Sequence, residues 1–170
     1  MSFYQYLSNQ FPGGYYPSVR VLSLYDDEPF QHRFFLQLVQ SFPLIQKLVL
    51  TNREPQREYK YSNQSINENC HLSIVEYSHL LELDIERSFD DYVEQFLCHR
   101  KTSFRQNIRL HVNSDSLLRV TRHFTRQDIR INCAKVDTLL PWGEWRFSQA
   151  FHEYFPSIVE SKDFISTDFR

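Results

Sequence analysis

Apolar residues recur along this chain in a fixed frame. At Tyr16–Leu24 an aromatic residue precedes Pro17, and Val19, Leu22 and Leu24 follow with variable residues between them. Phe42–Leu50 repeats the frame with Phe42, Pro43, Ile45, Leu48 and Leu50, and Tyr77–Ile85 gives it again with Ser78 in place of Pro. Looser versions occupy Asn107–Val112 and Cys133–Thr138, and Phe155-Pro156-Ser157-Ile158 begins it once more. With Val19, Ile45, Leu80, Asn107, Cys133 and Ile158 taken as equivalent, the steps are 26, 35, 27, 26 and 25 residues. The Leu-x-Leu heart has period 2, which predicts a strand that buries one face.

Between these strands the period becomes helical. Phe30, Phe34, Phe35, Leu38, Val39 and Phe42 share one helical face, and Pro43 ends it. Asp26-Asp27-Glu28-Pro29 ahead of them predicts the helix start, with a capping carboxylate and a Pro near the first turn. Ser88-Phe89-Asp90-Asp91 has the outline of a capping box opening a helix whose apolar face is Phe89, Tyr92, Val93, Phe96 and Leu97. Ser114 or Asp115 can cap a further helix carrying Leu117, Leu118, Val120 and Phe124. Trp145, Phe147, Phe151, Tyr154 and Phe155 form the last apolar face, a degenerate closing repeat. Residues 3–10 predict a short opening helix stopped by Pro12 and Gly13-Gly14. Leu72–Val75 predicts a short extended piece, and Val136–Leu139 a fifth strand ahead of Pro141. The polar stretch Thr51–Asn69 accounts for the one long step and reads as a surface loop inserted at about 51–71. The expected organisation is one domain over 1–160 with a loosely held tail at 161–170.

A strand with one apolar face, followed by a helix, cannot bury that face alone, so such units stack. The expected fold is α/β: a curved solenoid with parallel strands on the concave face and helices on the outer face. The aromatic before each Pro is expected to pack under the helix of its own unit. A period near 26 with Leu-x-Leu at its centre is the signature of leucine-rich repeats. The chain resembles the leucine-rich-repeat portion of F-box/LRR-type proteins of the divergent kind. The resemblance implies non-catalytic protein binding, in which the repeats select substrates for a ubiquitin ligase. The F-box, which such proteins use to reach their adaptor, is not visible here, so adaptor binding is not expected. Where the usual repeat carries a buried Asn, this chain has Asp27, Arg53, Ser88 and Asp115, which predicts no regular Asn ladder.

Composition narrows the function further. A net charge of −2 with scattered Lys and Arg argues against bulk electrostatic binding to nucleic acid, which needs a basic stripe. The only glycines, Gly13, Gly14 and Gly143, build no phosphate-binding loop. No nucleophile elbow is present, so neither catalysis nor a cofactor is expected. Cys70-His71 and Cys98-His99 lack the spacing of a zinc site, so no metal is expected. An odd cysteine count and a start without a basic, apolar leader predict a reducing compartment, cytoplasmic or nuclear. No apolar run approaches the roughly 20 residues of a membrane span.

The strand face opposite the Leu-x-Leu residues is the candidate surface. Period 2 places Val21, Ser23 and Tyr25, then Lys47, Val49 and Thr51, then Glu82, Asp84 and Glu86 on it. Arg109, His111 and Asn113 follow, and then Lys135 and Asp137. The candidate partner-binding residues are Tyr25, Lys47, Glu82, Asp84, Glu86, Arg109 and His111. The acid row either reads a basic or polar partner segment or is compensated by the adjacent strands. An alternative is a nucleic-acid-binding helix face of Arg119, Arg122, Arg126 and Arg130, which also reads as a solvated outer face. Trp142 and Trp145 offer a stacking surface or close the core.

Overall fold

A computed structural model describes residues 3–56, 73–144 and 148–158. Its elements in chain order are β1 (Phe3–Leu7), β2 (Val19–Tyr25), α1 (His32–Ser41), β3 (Lys47–Asn52), β4 (Val75–Tyr77) and β5 (Glu82–Ser88). There follow α2 (Asp90–Leu97), β6 (Thr102–Phe104), β7 (Ile108–Asn113), α3 (Ser114–Thr121), α4 (Arg130–Cys133), β8 (Val136–Trp142) and α5 (Gln149–Tyr154). The architecture is mixed α/β, as the alternating periods predict. Six strands form one sheet in the order β1-β2-β3-β5-β7-β8, and β4 and β6 form a second, two-stranded ladder. Every described strand pair is parallel.

The Leu-x-Leu residues occupy the buried face. Leu22, Leu24, Leu48, Leu50, Leu83, Ile85, Leu110 and Val112 are each at most 1% exposed. They share one hydrophobic cluster with Phe35, Leu38, Tyr92, Phe96 and Leu117 from the helices. Phe35 joins units edge-on, with its ring centroid 5.3 Å from Phe96 and 6.4 Å from Tyr92. Of the aromatics that open the frames, Tyr77 packs against the helix of its own unit as expected, with its ring centroid 5.9 Å from Phe96 of α2. The opening aromatics also reach across to the next unit, where Tyr16 stacks on Phe42 at 5.1 Å and Tyr77 meets Phe104 at 6.0 Å.

Register supports the first four copies of the frame. Val21, Lys47, Glu82 and Arg109 are successive partners, each two residues after the aligned Val19, Ile45, Leu80 and Asn107. The fifth copy slips: an irregularity after Ile108 pairs Arg109 with Thr138 and His111 with Leu140. Thr138, Leu140 and Trp142 therefore hold the places expected for Lys135 and Asp137. β8 also continues through Pro141, which an edge strand tolerates because one side of it has no ladder to break.

Other expectations change at element ends. Residues 3–7 form a strand rather than a helix, since the aromatic-rich segment pairs in parallel with β2, with one register shift after Phe3. Thr51 and Asn52 belong to β3, not to the inserted loop, and 57–72 lie outside the described residues. So do Trp145, Phe147 and the 161–170 tail. α1 begins at His32 behind Gln31, and Asp26 instead accepts hydrogen bonds from the backbone N–H of Asn9 and Glu28. α2 has Phe89 at its N-cap, 42% exposed rather than on the apolar face, while the Ser88 hydroxyl donates to the Leu50 carbonyl. Asn113, not Ser114 or Asp115, caps α3 by accepting from the N–H of Asp115 and Ser116. No helix among the described residues is long and apolar enough to cross a membrane.

Candidate functional site

The opposite face of the sheet is left open. No described element covers it, and apart from Ser23, which is 6% exposed, its residues range from half-buried to exposed. Tyr25 is 59% exposed toward one side of this face and Trp142 59% toward the other. Between them lies a charged centre on β3, β5 and β7. Glu82 Oε1 is 3.0 Å from Lys47 Nζ and 3.0 Å from His111 Nε2. Burial raises the Glu82 carboxyl, but the hydrogen bonds and charges of Lys47 and His111 outweigh it and hold the group below the usual range.

Of the seven candidate residues, the structure brings Lys47, Glu82 and His111 into one ion-pair cluster. Cross-strand compensation accounts for these three. Asp84 sits beside His111 in register, but its Oδ1 accepts from the Glu86 N–H at 3.2 Å. Arg109 is next to Glu82 in register and exposed. Among the described residues, Asp84, Glu86 and Arg109 form no ion pair. Tyr25 lies apart from the cluster, at the end of β2. An irregularity between β3 and β5 pairs Thr51 with Arg87, so both Glu86 and Arg87 sit between the buried Ile85 and Ser88.

At the C-terminal ends of the strands the floor is built from short polar side chains. Asn52, 2% exposed, donates from Nδ2 to the Glu28 carbonyl and accepts the Glu54 N–H at Oδ1. The Ser88 hydroxyl reaches Leu50, and the Ser114 hydroxyl reaches Trp142. A polar row thus runs through Asp26, Asn52, Ser88 and Ser114, mostly one residue before the positions at which no Asn ladder was expected. Clefts open above this row, and Arg53 and Arg87 line them.

The four arginines do not share a helix face. α3 stops where Arg122, His123 and Phe124 turn left-handed, with φ of 50°, 53° and 62°. Arg119 forms a bidentate pair with Asp90 at 2.7 and 2.9 Å. Arg126 bridges Glu94 at 3.1 Å and Asp128 at 2.7 Å, and Arg130 reaches Glu153 at 3.6 Å. Trp142 is exposed and does not close the core. Cys98 and Cys133 are buried thiols, with Cys98 Sγ 3.7 Å from Asp128. Among the described residues no three His, Cys, Asp or Glu side chains converge on a metal position, and Cys70-His71 lies outside them.

Comparison with protein-family models, with curated proteins and with solved structures finds no match. The geometry alone therefore carries the functional reading. It adds two residues that sequence reasoning passed over, Arg53 and Arg87. A signal for Arg53 was present: an arginine at the position where repeats bury an Asn must turn outward.

Proposed function

We propose that this chain is a non-catalytic protein-interaction domain that holds its partner on the open face of the sheet. We further infer, from the resemblance to divergent F-box/LRR repeats, that the partner is a substrate selected for a ubiquitin ligase. One observation carries the reading: a six-stranded parallel sheet buries one face and presents the other without a described covering element. Parallel sheets are ordinarily covered on both faces, so an open one marks a surface used for contact. Tyr25 and Trp142, each 59% exposed on this face, are of the residue types enriched at protein interfaces. The solenoid reading is supported by spatial order following chain order, so that each unit of the main sheet packs on the next. A nucleic-acid reading has less support, because Arg119, Arg126 and Arg130 are each paired with an acid.

The test is affinity capture from cell extract with the native chain and two folded variants. One variant, Asp84→Lys/Arg109→Glu/Leu140→Ser, alters the open face. The other, Arg119→Gln/Arg122→Gln/Arg130→Gln, alters the more exposed arginines and leaves Arg126 in place. Loss of a protein partner with the first variant alone is the expected result. Recovery of nucleic acid by the native chain, lost with the arginine variant alone, would sink the proposal.

A further inference from the structure

Two clefts open along the C-terminal ends of the strands. The larger, about 810 Å³, lies over the ends of β5, β7 and β8, and the smaller, about 390 Å³, over those of β2, β3 and β5. Arg53 and Arg87 line both, so this pair stands at the boundary between the two clefts. We infer that the two clefts together bind an extended segment of a protein that carries one central carboxylate, forked between Arg53 and Arg87, with basic residues on either side of it. The inference rests on the reading of the chain as a protein-interaction domain and names the chemistry of the partner.

Charge singles out the middle of the groove. Neither Arg53 nor Arg87 forms an ion pair with a described residue, whereas Arg119 on the far wall is neutralised by Asp90. Asp26 is likewise engaged, by the N–H groups of Asn9 and Glu28. The strand irregularity that admits both Glu86 and Arg87 between buried neighbours is what brings Arg87 to the shared position. A carboxylate placed there would gain charge-assisted, bidentate hydrogen bonds.

The surrounding acids decide between a carboxylate and a phosphate. Asp27 and Glu54 lie at one end of the groove, and Glu86 and Asp115 line the larger cleft. A doubly charged phosphate would meet these acids as well as the arginines, while a singly charged carboxylate fits between them. The same acids favour basic side chains on either side of the central carboxylate. Trp142, 59% exposed, and Phe89, 42% exposed, give one such basic side chain an aromatic surface. Five strand ends at about 4.8 Å spacing span roughly 19 Å, which accommodates about six residues of extended peptide.

The experiment uses the full chain and fluorescent peptides of the pattern Lys-Thr-Val-X-Val-Thr-Lys, with X as Asp, Asn, Lys or phosphoserine. Binding of the Asp peptide should be about ten-fold tighter than binding of the Asn peptide, in line with a charge-assisted pair. Arg53→Glu/Arg87→Glu should invert the preference toward X as Lys, and these exposed, unpaired positions leave the fold intact. Equal binding of the Asp and Asn peptides would overturn the inference, as would tighter binding of phosphoserine or indifference to the charge reversal. Partner capture separates this failure from that of the broader reading. A partner kept by the double-arginine variant but lost with Asp84→Lys/Arg109→Glu/Leu140→Ser overturns the groove and leaves the interaction domain standing. A partner lost with neither overturns both.

Discussion

Two arginines seven positions apart in the sequence have opposite weights in the structure. The Arg126 side chain is 15% exposed and ties Glu94 and Asp128, themselves 18% and 28% exposed. Arg126→Ala leaves two sheltered carboxylates without their main partner, and the expected loss is about 2–3 kcal/mol of unfolding free energy. The Arg119 side chain is 61% exposed, so Arg119→Ala should cost less than about 1 kcal/mol despite its good geometry. Urea denaturation of the two variants checks the ranking, and equal losses would refute it. Glu82 adds a pH dependence whose sign follows from its depressed folded value. The stabilisation is complete above the ordinary glutamate range and is lost as pH falls through the folded value. Asp128, hydrogen-bonded by Arg126, acts with the same sign, whereas burial raises Asp91 and acidification relieves it. The difference in unfolding midpoint between the native chain and Glu82→Gln should therefore narrow in acid. A difference unchanged well below the glutamate range would show that Lys47 and His111 contribute nothing through that carboxylate.

At the scale of the element, the junction between a strand and its following helix is where local rules compete with non-local ones. Asp26, Ser88 and Ser114 are each a plausible cap on local grounds. Instead they serve backbone groups elsewhere, at Asn9 and Glu28, at Leu50 and at Trp142. Asn52 belongs to the same row and, at 2% exposed, ties the Glu28 carbonyl to the Glu54 N–H, so Asn52→Ala should cost about 2 kcal/mol by removing both hydrogen bonds. Removing the local cap with Asn113→Ala should cost only about 1 kcal/mol. Thermal unfolding of both variants decides whether the non-local row outweighs the cap. This competition explains which features were readable beforehand. The Leu-x-Leu strands and the aromatic helix faces follow from period, which is a local property, and the structure has them. The cap identities, the slip at β8 and the pairing of Thr51 with Arg87 depend on a neighbouring unit, and no local pattern records them. The Lys47–Glu82–His111 cluster was readable because strand alternation and repeat alignment suffice to place it. The pairing of Arg87 was not, because it requires an irregularity between two strands.

Across the whole molecule, spatial order in the main sheet repeats chain order, and this makes the two ends unlike the middle. β3, β5 and β7 have a strand on each side, while among the described residues β1 and β8 have one neighbour each. Successive N–H groups of a strand point alternately to its two neighbours, so an edge strand leaves every second amide without a ladder partner. Amide hydrogen exchange should accordingly show greatest protection across Leu48–Leu50, Leu83–Ile85 and Leu110–Val112, all backed by the buried cluster. β1 and β8 should exchange faster, with alternating protection along β8. Equal protection of β1 and β3 would instead mean that the sheet opens only as a single cooperative unit. The same measurement separates two ways of engaging a partner. Backbone N–H groups lie in the plane of the sheet, so a partner seated on the open face leaves the alternation in β8 in place. A partner that adds a strand to the β8 edge pairs the free amides and erases it. Retained alternation in the complex is the outcome that binding on the open face requires.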